Sequence, residues 1–338
     1  MATYRAYQVT GTRDFELVTR ETVTPPAGHV RIDVESCGVC HSDAVAVEGL
    51  RDDPSRPVVP GHEIVGVVAE VGDGVTAWQV GERVGVGYLG GHCGHCESCR
   101  RGDFVNCTDQ PAMGSTIDGG YAEVVTARAS GLVRVPDGLS PIEASPLLCA
   151  GLTVYKALAR IDVHPGALVA VQGIGGLGHL AVQYAAKLGY RVVAIARGAG
   201  KAEFAARLGA AHYIDSSSDD PGAVLRDLGG AQAIIATAGS GASMSPLIPG
   251  LAPRGQMIVV GIGSDPISVS TIDLVFGTRT ITGSLTGTSV ENEDNLAFTV
   301  QQDIHSMNEV VPLADAPKGY ERMMAGEARF RIVLDVTA

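Results

Sequence analysis

A cluster of cysteines in the first half of the chain has the spacing of metal ligands. The pattern C-x2-C-x2-C-x7-C brings four sulfurs together within fifteen residues, at Cys93, Cys96, Cys99 and Cys107. Four thiolates make the closed tetrahedral shell of a structural zinc ion, which leaves no position for a substrate. We expect this ion to hold together a lobe that is too small for a core of its own. The alternatives are an iron–sulfur cluster, free thiols, or replacement of one sulfur by His92 or His95.

The remaining cysteines are Cys37, Cys40 and Cys149, and three short motifs surround or accompany them. These motifs are Cys40-His41-Ser42-Asp43, Gly61-His62-Glu63 and Pro146-Leu147-Leu148-Cys149. Taken singly, each motif has an ordinary explanation. A buried cysteine packs as a small hydrophobic residue, and Cys37 with Cys40 could form a C-x-x-C redox pair.

A glycine-rich turn follows an apolar strand and opens a helix. It has the pattern G-x-G-x-x-G and comprises Gly173, Gly175, Gly176, Leu177 and Gly178. In this context the glycines allow a tight turn and a close approach of the backbone to a pyrophosphate at the helix N-terminus. The turn therefore predicts a dinucleotide site.

The next strand, Val192 to Ala196, bears on which dinucleotide is bound. An acid that holds the ribose 2′-hydroxyl of NAD is expected at its end, about 20 residues beyond the glycines. Ala196 stands there instead, and Arg197 follows it. This pair favours the 2′-phosphate of NADP(H) over NAD(H), with Lys201 as an assisting cation. If Arg197 is only a solvated charge, the enzyme would accept NAD or both.

The periodicity of the sequence changes along the chain. The first third contains short β-branched strands at Val30 to Val34, Ile64 to Val71 and Arg83 to Tyr88. From about Gly151, apolar strands alternate with helices, which is typical of a parallel α/β sheet. The strands of this second part are Ala167 to Val171, Val192 to Ala196, Ala233 to Ala236 and Met257 to Val260. The strand-like run Phe330 to Val336 is expected to return to the first domain.

Composition narrows the functional class. A net charge of -12 argues against a nucleic-acid partner, which would need a basic surface. The first residues show no signal or transit peptide, so we expect a cytoplasmic protein without disulfides. The uncharged stretch from Ala167 to Ala186 contains four glycines, and its pattern indicates a strand, a turn and a helix rather than a membrane span.

Together, these motifs resemble those of the zinc-containing medium-chain alcohol dehydrogenases. That family carries the C-x-x-C-H-[ST]-D turn, the G-H-E turn, the four-cysteine lobe and the late cysteine in the same order. The resemblance covers essentially the whole chain. It implies an α/β fold, with a GroES-like β-rich catalytic domain at 1–150 and 285–338 and a Rossmann doubly wound parallel-sheet cofactor domain at 151–284.

The resemblance also implies an activity and an assembly. The activity is hydride transfer between an alcohol or aldehyde and the dinucleotide. It implies two zinc ions per chain, the catalytic one bound by Cys40, His62 and Cys149 with an open fourth position. Zinc there lowers the pKa of an alcohol and polarises a carbonyl oxygen. A homodimer or homotetramer is expected, joined at the sheet edge of the second domain.

Neighbouring residues receive roles from the same resemblance. Ser42 would hydrogen-bond the substrate oxygen and start proton removal, while Asp43 would orient His62. Glu63 is a candidate transient ligand or supporting carboxylate, and an exposed acid is the alternative. Many relatives place a relay histidine where this chain has Val45, so the proton must pass from Ser42 to cofactor hydroxyls, water or another base. His41 would contact the cofactor pyrophosphate.

Family likeness is the only basis for several further positions. The residues expected near the nicotinamide are Thr153, Val260, Ser284 and Leu285. The expected pocket residues are Val45, Leu50, Tyr88 and again Leu285. They are apolar on balance, which favours a medium-sized hydrophobic or aromatic alcohol over a sugar.

Other functions remain open at this point. A polyol or formaldehyde dehydrogenase of the same family would share this whole apparatus. A zinc-free quinone reductase is disfavoured, because it would lack Cys40, His62 and Cys149. A zinc-stabilised nucleotide-binding protein without hydride chemistry would hold one zinc and have a broken open site, whereas both ligand sets are intact here.

Overall fold

The computed structural model describes residues 2–338, and the chain divides into two compact units. Unit 1 comprises Met1–Leu152 and Thr286–Ala338, and unit 2 comprises Thr153–Leu285. The first boundary falls inside a helix and the second follows the last strand of unit 2.

The strands of residues 2–338 are numbered in chain order. They are β1 (Thr3–Val9), β2 (Phe15–Glu21), β3 (His29–Val39), β4 (Glu63–Val71), β5 (Arg83–Val86), β6 (Val124–Arg128), β7 (Leu132–Arg134), β8 (Leu168–Gln172), β9 (Arg191–Ala196), β10 (His212–Asp215), β11 (Ala231–Ala236), β12 (Leu251–Val259), β13 (Thr280–Gly283), β14 (Asn308–Pro312) and β15 (Arg331–Asp335).

The α-helices of the same residues are mostly short. They are α1 (Ala44–Val47), α2 (Glu97–Arg100), α3 (Pro141–Ala144), α4 (Ala150–Ala159), α5 (Gly178–Lys187), α6 (Ala202–Arg207), α7 (Pro221–Asp227), α8 (Gly241–Met244), α9 (Thr271–Gly277), α10 (Ser289–Gln302) and α11 (Ala316–Met324). The 3-10 helices are His41–Asp43, Ala129–Gly131, Ser145–Leu148, Ala199–Lys201, Ser245–Gly250 and Leu313–Asp315.

Unit 1 is built on a sheet in the order β14-β15-β3-β4-β5-β7, with β6 also paired to β3. The long strand β3 alternates inward and outward residues before it ends near Cys40. The C-terminal strand β15 pairs antiparallel with β3, so that Leu334 lies opposite Cys37. The end of the chain therefore closes the sheet that carries the Cys40 motif.

Unit 2 is a parallel sheet in the order β10-β9-β8-β11-β12-β13. Strand β8 is buried along its whole length, as expected for a strand covered on both faces. Helix α5 follows it and buries Ala181, Tyr184 and Ala185, while Leu188 is only partly buried. The helix stops where Gly189 adopts a positive φ of 85°.

The predicted strand, turn and helix between Ala167 and Ala186 are therefore confirmed as β8, the glycine turn and α5. Among residues 2–338, every helix is too short or too polar to cross a bilayer.

Candidate metal centres and cofactor loop

Four buried side chains from three motifs meet in unit 1. The ligand atoms that lie within 4.8 Å of one another belong to Cys40, His62, Glu63 and Cys149. Cys40 follows β3, His62 precedes β4, and Cys149 follows the 3-10 helix Ser145–Leu148. Residues up to 109 positions apart thus reach one point because β3 and β4 are neighbouring strands and the 3-10 helix packs on both.

A buried carboxylate holds the imidazole of His62. Asp43 Oδ1 lies 2.7 Å from His62 Nδ1. The other oxygen, Asp43 Oδ2, accepts from the backbone N–H of Cys40 at 2.9 Å and from the hydroxyl of Tyr121 at 3.0 Å. These contacts tie Cys40 and His62 to the same carboxylate, and they place the Nδ1 proton of the histidine on the Asp43 side.

The free nitrogen of His62 gives a direct test of whether these residues suit a metal. His62 Nε2 is buried and has no hydrogen-bond partner among residues 2–338. A buried polar atom without a partner costs free energy, so such an atom calls for a ligand. Two sulfurs, one imidazole nitrogen and a nearby carboxylate are donors that zinc accepts. The residues fit a zinc ion.

The two thiols of this ligand set differ in how readily they lose a proton. Cys40 forms a hydrogen bond with Cys149 and lies near His62, and both neighbours hold the pKa of Cys40 well below the usual value of a thiol. The same hydrogen bond and burial raise the pKa of Cys149. Burial alone would lower the pKa of His62, but Asp43 and the Cys40 sulfur outweigh it and raise that pKa. Protons must therefore leave Cys149 and His62 Nε2 before all three ligands can bind a cation.

A second buried carboxylate adds to the negative charge of the site. Glu63 Oε1 accepts from Arg331, the first residue of β15, and both side chains are almost fully buried. Burial raises the pKa of Glu63 to about 8, although Arg331 acts in the opposite direction. Glu63 Oε2 has no partner among residues 2–338, and a Cβ at position 38 would lie 1.9 Å from it.

Once its ligands have lost their protons, this buried cluster carries more negative than positive charge. Its acidic groups are the carboxyls of Asp43 and Glu63 and the thiols of Cys40 and Cys149, and the guanidinium of Arg331 opposes them. A divalent cation would offset the excess of negative charge when both thiols are ionised.

A close backbone contact positions the turn that carries His62. The segment from Gly119 to Tyr121 runs along the segment from Val59 to Gly61, with hydrogen bonds of 2.7, 3.0 and 3.0 Å. A Cβ at Gly119 would lie 1.9 Å from the Gly61 carbonyl oxygen. Glycine is therefore required at this position, and the contact brings Tyr121 to Asp43 and His62 to the centre.

The four predicted cysteines of the lobe also converge. The sulfurs of Cys93, Cys96, Cys99 and Cys107 lie within 4.8 Å of one another. The Cys93–Cys99 and Cys96–Cys107 sulfur pairs are each 4.0 Å apart, close to the roughly 3.8 Å that tetrahedral Zn–S bonds of about 2.3 Å require. Backbone N–H groups of Cys99 and Thr108 lower the pKa of Cys96 to about 6, which favours its thiolate. These residues fit a closed zinc shell.

The residues assigned to the dinucleotide in unit 2 lie at the carboxyl ends of its strands. The glycine turn follows β8, Ala196 ends β9, and Val260 follows β12. A Cβ at Gly178 would lie 1.7 Å from the Gly173 carbonyl oxygen, so the turn closes only with glycine there. Open crevices at the carboxyl ends of parallel strands are where such sheets bind ligands.

Other predicted cofactor residues of unit 2 differ in exposure. Arg197 is exposed, whereas Lys201 donates through Nζ to the carbonyl of Ile174 at 2.8 Å and so contacts the glycine turn. Thr153 and Ser284 are buried, and Leu285 is half exposed.

The remaining predicted site residues belong to unit 1. The 3-10 helix His41–Asp43 carries an exposed His41 and a partly buried Ser42. Val45 lies in α1 and is partly buried, whereas Leu50 is exposed. Tyr88 places its ring edge-on to His62, with ring centroids 5.3 Å apart.

Comparison with known proteins agrees with this geometry. Residues 26–137 match the family model described as the alcohol dehydrogenase GroES-like domain, and residues 176–301 match the model described as zinc-binding dehydrogenase. The alcohol dehydrogenase patD of Penicillium expansum is 43% identical over 92% of this chain and 91% of its own length. The chain belongs to the zinc-containing medium-chain dehydrogenase family.

Solved structures of family members have the same fold. A cinnamyl alcohol dehydrogenase from Sorghum bicolor superposes with a TM-score of 0.90 and 32% identity, covering 100% of this chain and 98% of that one. The CAD from Helicobacter pylori complexed with NADP(H) gives a TM-score of 0.85 and 27% identity, covering 99% and 98%. The predicted GroES-like and Rossmann fold class of this dehydrogenase is confirmed.

Two residues of the metal centre were not predicted from the sequence. Tyr121 bonds the carboxylate that orients His62, and Arg331 balances Glu63. A tyrosine after two glycines gave no chemical signal. Arg331 offered a weak one, since a charged residue inside the apolar run Phe330 to Val336 requires a buried partner or an outward face.

The two cysteine clusters should respond differently to substitution. We expect Cys40→Ser to abolish turnover and lower the metal content by one ion per chain with little change in melting temperature. Cys99→Ser should mainly lower the melting temperature, because the lobe depends on its ion for folding. Metal analysis by mass spectrometry and thermal unfolding measure both effects. Equal loss of stability in the two variants would contradict the division into a catalytic and a structural centre.

Tyr121→Phe should weaken the catalytic centre by removing one donor to Asp43. We expect roughly a 10-fold loss in metal affinity at Cys40, His62 and Cys149, as is common for groups that support metal-binding residues. Competition with a zinc chelator measures this affinity. Tyr7→Phe is the matched control, since its hydroxyl binds the backbone carbonyl of Ala314 in the same unit. Equal affinity in both variants would show that Tyr121 has no effect on the centre.

Proposed function

We propose that this dehydrogenase is a zinc-dependent alcohol dehydrogenase or aldehyde reductase that uses NADP(H) in preference to NAD(H). The observation that carries the proposal is the donor set at Cys40, His62 and Cys149, in which a buried His62 Nε2 lacks a partner among residues 2–338. A set of three ligands with an open position is that of a catalytic zinc rather than a structural one.

The two units take different parts in this proposal. Unit 1, which matches the GroES-like model, would hold both zinc ions and the substrate. Unit 2 would bind the dinucleotide through its glycine turn, with the N-terminal end of α5 facing the pyrophosphate.

The residues around the centre would hold the substrate and move its proton. Zinc bound there would supply a Lewis acid, which lowers the pKa of an alcohol and polarises a carbonyl oxygen. Ser42 Oγ would accept the alcohol proton, and Asp43 would keep His62 in one tautomer. Val45 has no ionisable group to continue the relay, so the proton would leave Ser42 through water or a cofactor hydroxyl.

The substrate is proposed to be a medium-sized hydrophobic or aromatic alcohol or aldehyde. Tyr88, Val133, Leu148 and Leu152 line a cleft in unit 1, whose wall also carries the polar residues Thr286, Thr288, Ser289 and Asn292. Tyr88 packs against His62 and Leu148 precedes Cys149, so the apolar side of this cleft adjoins the metal centre. A polyol would leave several hydroxyls unpaired against such a surface.

The cofactor preference rests on the end of strand β9. Ala196 provides no carboxylate for a ribose 2′-hydroxyl, and its partner in the neighbouring strand is Asp215. One oxygen of that carboxylate is already engaged, since Asp215 Oδ1 accepts from Gly198 N at 2.7 Å and from Ser217 Oγ at 2.6 Å. The exposed Arg197 is then the group best suited to a 2′-phosphate.

Assembly and cell compartment complete the proposal. Strand β13 is an edge of its sheet, and α9 beside it in sequence exposes Ile272, Val275 and Phe276 at 66%, 72% and 86%. An open edge with exposed apolar residues favours a homodimer or homotetramer through unit 2. Sedimentation of a monomer at micromolar concentration would contradict this.

The proposed compartment is the cytoplasm. The seven cysteines are all free of disulfide bonds, which suits a reducing compartment of this kind.

The function and the cofactor preference can be tested together. Freshly purified protein should contain two zinc ions per chain and should reduce aromatic and aliphatic aldehydes faster with NADPH than with NADH. One zinc ion and no rate with either cofactor would instead support a nucleotide-binding protein without hydride chemistry.

Arg197→Ala should raise KM for NADPH about tenfold or more and leave KM for NADH nearly unchanged, because a charge-assisted contact to phosphate is lost. Arg191→Ala is the control, since Arg191 is an exposed arginine at the opposite end of the same strand. Equal KM values for wild type and Arg197→Ala with both cofactors would remove Arg197 from the site.

A further inference from the structure

Two buried asparagines of α10 bind the backbone just before Cys149. Asn292 Nδ2 donates to the carbonyl of Leu148 at 3.0 Å, and Asn295 Nδ2 donates to the carbonyl of Leu147 at 3.0 Å. Asn295 Nδ2 also donates to Asn292 Oδ1 at 3.1 Å, which links the two side chains. Their exposed fractions are 1% and 0%.

Polar amides are unusual on the buried face of a helix. A helix normally presents apolar residues such as the neighbouring Leu296 to a core, because a buried amide without partners costs free energy. The last carbonyls of a helix also lack partners within that helix. Here the asparagine amides donate to the carbonyls at the end of the 3-10 helix Ser145–Leu148. The amides and the carbonyls therefore both have hydrogen-bond partners.

Helix α10 is itself fixed where it carries the asparagines. Its N-terminus has a capping box in which Thr288 and Glu291 bond each other's backbone N–H groups. Inside the helix, Thr299 Oγ1 donates to the carbonyl of Asn295 at 2.8 Å. The two amides are therefore presented from a well-defined helical frame.

Residues of β3 and of the segment that begins with β5 also contact the same 3-10 helix. Ser36 Oγ of β3 lies 2.6 Å from Ser145 Oγ. A Cβ at Gly85 would lie 2.7 Å from the Leu148 side chain, and a Cβ at Gly87 would lie 2.8 Å from its carbonyl oxygen. The backbone before Cys149 is thus held by contacts with the sheet as well as by the asparagines.

We propose that Asn292 and Asn295 are positioning residues for Cys149. By fixing the carbonyls of the two preceding residues, they set the direction from which the Cys149 sulfur approaches Cys40 and His62. The inference rests on the proposed function, since it takes Cys149 as a ligand of the catalytic metal. According to this inference, α10, which lies far from Cys149 in the sequence, determines the orientation of that ligand.

The test compares leucine variants, which keep the volume of the side chain and remove its amide. Asn292→Leu and Asn295→Leu are made singly, so that one decides the question if the other does not fold. Asn308→Leu is the matched control, because Asn308 Nδ2 donates to the carbonyl of Ile142 at 2.8 Å in the same unit. Cobalt(II) is exchanged for zinc at Cys40, His62 and Cys149, with zinc kept in the four-cysteine lobe.

We expect the thiolate-to-cobalt absorption to weaken and the d–d bands to shift in the Asn292 and Asn295 variants. A chelator should compete for this ion at roughly 10- to 100-fold lower concentration than in wild type. Asn308→Leu should keep the wild-type spectrum even if its melting temperature falls. A wild-type spectrum and wild-type chelator competition in the folded Asn292 and Asn295 variants would overturn the proposal, because the asparagines would then be structural only.

The spectrum also separates this inference from the proposed function. A wild-type protein that binds cobalt but reduces no aldehyde would contradict the dehydrogenase activity, and the variants would still decide the role of the asparagines. A wild-type protein that binds no metal at Cys40, His62 and Cys149 would overturn both.

Discussion

The buried carboxylate of Asp43 is the interaction on which the rest of the metal centre depends. It accepts from His62, from the backbone of Cys40 and from Tyr121, and these three groups come from different segments of unit 1. A carboxylate removed from water is tolerated only when its lone pairs are satisfied. The segments that carry the ligands must therefore meet around Asp43.

A similar requirement explains the surroundings of Glu63. Its carboxylate lies beside the ligands, and Arg331 at the start of the C-terminal strand neutralises it. Because β15 pairs with β3, the end of the chain delivers this cation to a site built from its beginning. The centre thus combines an excess of anionic groups, which favours a divalent cation, with one fixed guanidinium that limits the excess.

The two units hold their functional residues in place by different means. Unit 2 has a parallel sheet whose strand β8 is buried along its whole length, and its glycine turn needs only local close contact between Gly173 and Gly178. Unit 1 has long irregular segments between its strands, so its loops rely on glycine contacts, buried ion pairs and the four-cysteine lobe. Chemistry that needs several precisely directed ligands is therefore supported by many weak constraints rather than by one regular element.

The sequence by itself determined the local features. The strand patterns, the glycine turn and the spacing of Cys93 to Cys107 depend on residues close together in the chain, and the structure has strands and converging sulfurs at those positions. The resemblance of the dispersed motifs to a family then identified Cys40, His62 and Cys149 as candidates for one site.

Only the tertiary structure decided which distant residues support that site. Tyr121, Arg331, Asn292 and Asn295 act through contacts between residues 78 to 268 positions apart, and no local pattern records such a contact. An asparagine in a helix or an arginine in a strand reads as a surface residue until its burial is known. The physical reason is that periodicity encodes which face is apolar, whereas a buried hydrogen bond depends on what packs against that face.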